Sequence, residues 1–128
     1  MTTQQTRNVL EDPGFAWWFA QNQWMLDIAR EMVRHGPDFD PRLSGLRYPC
    51  GAGPVTTRKL RVLMKAVARR GGFTEEPLSE AYSSPKTGRS YWKDGRHRIA
   101  YRLAIGLPPI ARYQNSSIFV KSRQHDIS

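Results

Sequence analysis

SYWKDGRHRIAYRLAIGLPPIARY, residues 90–113, decides how the rest of the chain is read. Tyr91 and Trp92 favour a pleated strand. Asp94-Gly95 breaks it with a tight turn. Ile99, Ala100 and Leu103 then recur at helical spacing, and Gly106 closes that helix. Pro108-Pro109 lead into a short apolar segment, PPIARY (108–113), read as another strand. The local order is strand, turn, helix, strand.

Working outward from this stretch, EPLSEAY (76–82) reads as a strand and SSPKTG as a turn, so 77–82 and 89–94 are predicted to form a hairpin. Before it, Thr56 or Thr57 is expected to cap a helix running to Arg70, with Leu60, Leu63, Met64 and Val67 on one face and Gly71-Gly72 as its stop. Asp12-Pro13 opens an earlier helix, ended by His35-Gly36-Pro37. That helix is rich in rings, with Trp17, Trp18 and Trp24 among them. Residues 36–54 read as a Gly/Pro-rich loop with a short strand near Leu46–Tyr48, and 116–122 as one more strand. The expected fold is a small single-domain α/β (α+β) protein: a short mixed sheet flanked by helices, with an extra aromatic-rich helix at the N-terminus. Its parts are a flexible segment 1–11, a helix and loop 12–54, a core 55–122 and a tail 123–128.

The chain has 128 residues and a formal charge of +9. The charge is uneven. Residues 1–41 hold three arginines against six acids, and residues 42–128 hold 17 Lys and Arg against five acids. A surplus of this size favours anionic partners such as nucleotides, nucleic acid or acidic lipid. Cys50 is the single cysteine, so an internal disulfide and a CxxC metal motif are both excluded. The three histidines are too far apart in sequence to read as a metal site. There is no leader-like h-region at the start and no run of membrane-spanning length, so a soluble, cytoplasmic protein is expected.

The chemistry concentrates at Asp94-Gly95-Arg96-His97-Arg98. The first amides of a helix lack intrahelical acceptors and lie at the positive end of its dipole. Such a helix mouth accepts anions before any side chain is added. Arginine adds a planar fork matched to phosphate, and histidine a donor that titrates near neutrality. Cations at a helix start are otherwise unfavourable, so two arginines there point to a bound anion. Asp94 offers the plainer alternative, as a cap or as an ion-pair partner of one arginine.

YWKDGRHRIAYRLAIGLPPIARY, with VLMKAVARRGGF and EPLSEAY before it, resembles the signature of the ParB N-terminal domain/sulfiredoxin superfamily in its D-G-x-H-R variant. The resemblance covers about residues 55–114. It implies a nucleotide-phosphate pocket for ATP or CTP with magnesium. By that resemblance Gly95 permits the turn, Arg96, His97 and Arg98 bind phosphate, with Arg98 the principal contact, and Asp94 holds a metal. Asp94 and His97 would then serve NTP hydrolysis or phosphotransfer. The sulfiredoxin cysteine position is Arg96 here, which argues against sulfinic-acid reduction. The acidic base of kinase-like members would come from Glu11, Asp38 or Asp40.

Two other functions stay open. The helix 57–70 carries Arg58, Lys59, Arg61, Lys65 and Arg69 with no acid, a pattern suited to the phosphate backbone of nucleic acid. A non-enzymatic DNA-binding or regulatory protein would use it. Alternatively, the Trp-rich first helix would bind a protein partner. Oligomeric state has no signature in the sequence.

Overall fold

The computed structural model describes residues 4–74, 78–83 and 89–115. Their chain order is β1 (Gln4–Asn8), α1 (Pro13–Gln21), α2 (Gln23–His35), α3 (Ala52–Arg69), β2 (Ser79–Ser83), β3 (Ser90–Asp94), α4 (Arg96–Ala104) and β4 (Ile110–Asn115). The strands form one mixed sheet in the order β1-β4-β2-β3. β2 and β3 are the expected antiparallel hairpin, with a bulge between Glu80 and Ala81. β4 returns through α4 to lie parallel to β2. This is the small α+β domain with a short mixed sheet that the sequence predicts.

Two apolar clusters fill the molecule, and α4 belongs to both. Ile99 joins Val9, Phe15, Phe19, Ala81, Ala111 and Tyr113 between the sheet and α1. Ala100 and Tyr101 join Met25, Ile28, Ala29, Met32, Leu60 and Val67 between α2 and α3. Residues 98–102 of α4 are therefore buried on every side. A helix held this way has little freedom to tilt, and its N-terminal turn is a fixed feature of the surface.

Several local expectations change. Residues 4–8, read as a flexible end, form β1, paired antiparallel with β4 from Gln4↔Gln114 to Asn8↔Ile110. Nothing in QQTRN alternates in hydropathy; the strand exists because β4 offers it an edge. The single helix expected from Asp12 to His35 is two. Asn22 breaks it with φ −123° and ψ 37°, while its Nδ2 donates to the Trp18 carbonyl at 2.8 Å. The helix expected to start at Thr56 or Thr57 begins at Ala52. Both threonines lie inside it, and Thr57 Oγ1 donates back to the Gly53 carbonyl at 3.0 Å. Gly53 is required there because the Tyr48 ring occupies the space of a Cβ. No strand forms at 46–48; a 3-10 turn at Pro41–Ser44 precedes that segment instead. The strand expected at 116–122 lies outside the described residues, as do parts of the segments read as 76–82 and as the SSPKTG turn.

Asp12 ties the first helix to the sheet. Its Oδ1 accepts from the Gly14 amide at 3.0 Å, capping α1 as the sequence predicts. Its Oδ2 accepts from Ser90 Oγ at 2.6 Å and from the Tyr113 hydroxyl at 3.1 Å. Burial, reinforced by the Asp12 carboxylate, pushes the Tyr113 hydroxyl above its ordinary range.

Candidate functional site

The β3–α4 turn is built around Gly95. Its φ is +89°, in the left-handed region. A Cβ there would lie 2.6 Å from Ser79 Oγ and 3.0 Å from Ser79 Cα. Ser79 Oγ in turn donates to the Gly95 carbonyl at 2.7 Å. β2 thus packs directly beneath the turn, and only glycine fits. Because Gly95 is also the residue that opens α4, no side chain caps the helix, and no acid stands in its first turn. The first-turn amides keep their affinity for an external acceptor.

These amides border a cleft of about 220 Å³ lined by Lys59, Trp92, Lys93, Asp94, Gly95, Arg96 and His97. Lys59 reaches it from α3 and the others from β3, the turn and α4. Lys93 is partly neutralised by Glu80 at 2.9 Å. Lys59 and Arg96 are exposed and have no ion-pair partner among the described residues. Among the described residues Asp94 is the one carboxylate on the cleft wall. The arrangement presents net positive charge and backbone donors to whatever enters.

His97 occupies the junction of α3 and α4, with Nε2 3.4 Å from Thr56 Oγ1. Burial first, then the positive charges of Arg96 and Lys59, pull its pKa down to about 4. The imidazole is therefore neutral at pH 7. The expectation of a histidine titrating near neutrality is corrected for the free protein: charging it there costs desolvation and adds a third cation.

Arg98 does not line the cleft. It is 9% exposed, its Nη2 donates to the Thr74 carbonyl at 2.8 Å, and its guanidinium sits 4.6 Å from the Phe73 ring centre. Arg102, one turn on, is 2% exposed, donates to the Pro108 carbonyl at 2.6 Å and approaches the same ring at 5.5 Å. Both guanidiniums approach the Phe73 ring, and the two arginines anchor the segments on either side of α4. Arg98, expected as the principal phosphate contact, thus lies behind the turn and off the cleft wall, held by Thr74 and Phe73. The i, i+4 spacing of Arg98 and Arg102, with an aromatic just after Gly71-Gly72, is the sequence signal for it.

The remaining candidates separate in space. Asp38 engages Lys65 at 2.9 Å and Arg61 at 3.8 Å, and Arg61 also donates to the Pro37 carbonyl at 2.9 Å. The Lys65 contact holds the Asp38 carboxyl below its usual range. Asp40 caps the 3-10 turn and pairs with Arg42. Neither aspartate, nor Glu11, borders the cleft. Arg58 and Arg69 project to solvent from α3. Among the tryptophans, Trp18 and Trp24 pack against the core, and Trp17 is 66% exposed. Trp92 stacks on Phe15 with centroids 4.2 Å apart and meets Phe19 and Trp18 edgewise. It is a core ring at the cleft wall.

Among the described residues no group of three or more His, Cys, Asp or Glu could hold a metal ion. None of their helices is long and apolar enough to cross a membrane. Comparison with family models, curated proteins and solved structures finds no match.

Proposed function

We propose that the cleft between α3 and the first turn of α4 binds the phosphates of a nucleotide, ATP or CTP, in the manner of the ParB/sulfiredoxin superfamily that the sequence resembles. One observation carries the reading. An uncapped helix N-terminus, Lys59 and Arg96 converge on one cleft, and neither cation has an ion-pair partner among the described residues. Phosphate is the common biological anion that uses backbone amides and cations together.

Gly95 makes the turn that bares the amides. Arg96 supplies a two-pronged donor, and Lys59 a point charge from the opposite wall. Asp94 would be the one protein carboxylate holding a magnesium ion, which fits a metal that commonly uses only one or two of them. Bound magnesium would neutralise charge developing on the phosphoryl group. A phosphate beside His97 would offset the charges that depress its pKa, and the imidazole would then accept a proton from a hydroxyl or water there, which suits hydrolysis or phosphotransfer. A nucleotide ligand and a lone thiol fit a cytoplasmic protein.

A thermal-shift series with Mg-ATP, Mg-CTP and pyrophosphate tests the reading. A ligand at a hundredfold excess over its Kd stabilises by about 2.7 kcal/mol. Stabilisation by at least one nucleotide, lost in Arg96→Ala, supports it. The absence of any shift would reject it.

A further inference from the structure

A second cationic surface lies on α3, apart from the cleft proposed for a nucleotide. The helix carries Arg58, Lys59, Arg61, Lys65 and Arg69 with no acid anywhere along it. Like charges meet at Arg61/Lys65 and Lys65/Arg69, four residues apart, and each such pair costs about 0.2–0.5 kcal/mol. The structure sorts these cations. Lys59 turns to the cleft, and Arg61 is held by Pro37 and Asp38. Arg58, Lys65 and Arg69 stand at spacings of seven and four residues on one exposed stripe, with Val62 at 63% exposure between them. Lys65 alone of the three has an ion-pair partner among the described residues, Asp38.

We infer that this stripe docks on the phosphate backbone of double-stranded DNA. Charge and shape both favour that occupant. At about 1.5 Å per residue, Arg58 and Arg69 are about 16 Å apart along the axis. A B-form major groove is ~12 Å wide, so a helix laid across it reaches phosphates on both strands. The stripe holds no aromatic side chain on which unstacked bases could rest, which disfavours single strands. It holds no Asn or Gln to pair with adenine, so base-edge reading by the stripe is limited to what its Arg and Lys side chains can make with guanine. A-form RNA has a deep, narrow major groove and does not offer the same crossing.

The test is binding of the full chain to a 20-base-pair DNA duplex, a single strand of the same length and the corresponding RNA duplex, each over a range of salt. The DNA duplex is expected to bind tightest, with a log–log salt slope of about −2 to −4. Replacing both arginines (Arg58→Gln with Arg69→Gln) should make that slope shallower by about 1.8 and weaken binding at least tenfold. Val62→Glu, at an exposed position, places a negative charge in the stripe and should weaken it similarly. A salt-independent affinity, equal or tighter binding of the single strand or of RNA, or unchanged binding by Val62→Glu would overturn the inference. Arg96→Ala separates the two sites: it should abolish the nucleotide response and leave most duplex affinity in place.

Discussion

Thr56 Oγ1 lies 3.4 Å from His97 Nε2, joining the first half of α3 to the first turn of α4. The contact places a half-buried imidazole between Arg96 and Lys59, and its pKa falls to about 4. The folded-state value lies below the unfolded value of about 6.5, so the unfolded chain binds the proton more readily. Stability from this group is complete above pH 6.5 and is lost as pH falls towards 4. The loss is about 1–3 kcal/mol after allowance for partial solvent access. Urea midpoints of the parent and of His97→Gln across that range should converge as pH falls, because the variant has no proton to refuse.

A bound phosphate reverses the local field at His97. Its pKa should rise on addition of ligand, and binding below pH 6 should take up protons. Arg96→Ala should also raise it in the free protein, by removing one of the charges that depress it. Histidine ring resonances followed by NMR measure both shifts. A His97 titration that moves with neither ligand nor variant would remove this residue from the site.

Gly95 should tolerate no side chain. Alanine at φ +89° is strained by about 1–3 kcal/mol before contacts are counted. Its Cβ would also meet Ser79, partly at backbone. Gly95→Ala should lower the urea midpoint. Adding Ser79→Gly should restore only part of it, because the backbone of residue 79, 3.0 Å from that Cβ, stays in place.

Arg98 and Arg96 should give opposite phenotypes. Arg98→Leu removes the donor to Thr74 and the cation over Phe73, and should destabilise the fold by about 2–4 kcal/mol. Nucleotide affinity of the folded fraction should change less than twofold. Arg96→Ala should leave the unfolding free energy within about 0.5 kcal/mol of the parent's and lose the ligand. The comparison needs only denaturation curves and titrations on two variants.

Asp12 should matter to stability alone. Alanine there removes the cap of α1 and the acceptor for Ser90 and Tyr113, an expected loss of about 2–4 kcal/mol. Equilibrium unfolding measures it. Ligand response in the folded protein should persist, since Asp12 does not border the cleft.

The strand–turn–helix at 90–104 was legible because its signals are local: aromatic strand residues, an Asp-Gly turn and helical apolar spacing. The candidate anion site follows from the same local signals. What escaped depends on partners distant in sequence. QQTRN becomes a strand only beside β4. Apolar spacing runs on through Asn22, so the break between α1 and α2 is hidden in the periodicity. Arg98 looks like a ligand-binding residue from its neighbours, yet Phe73 and Thr74 draw it inward. Lys59 reads as one cation among several until the fold sets α3 across from the turn.

The central claim is that Arg96 and Lys59, with the bare first turn of α4, hold phosphate. Calorimetric titration of the parent and of the Arg96→Ala, Lys59→Ala double variant with Mg-ATP, Mg-CTP and pyrophosphate tests it most directly. Saturable binding by the parent, weakened at least a hundredfold in a double variant that remains folded, is the predicted result. Equal affinity in the two proteins would contradict it.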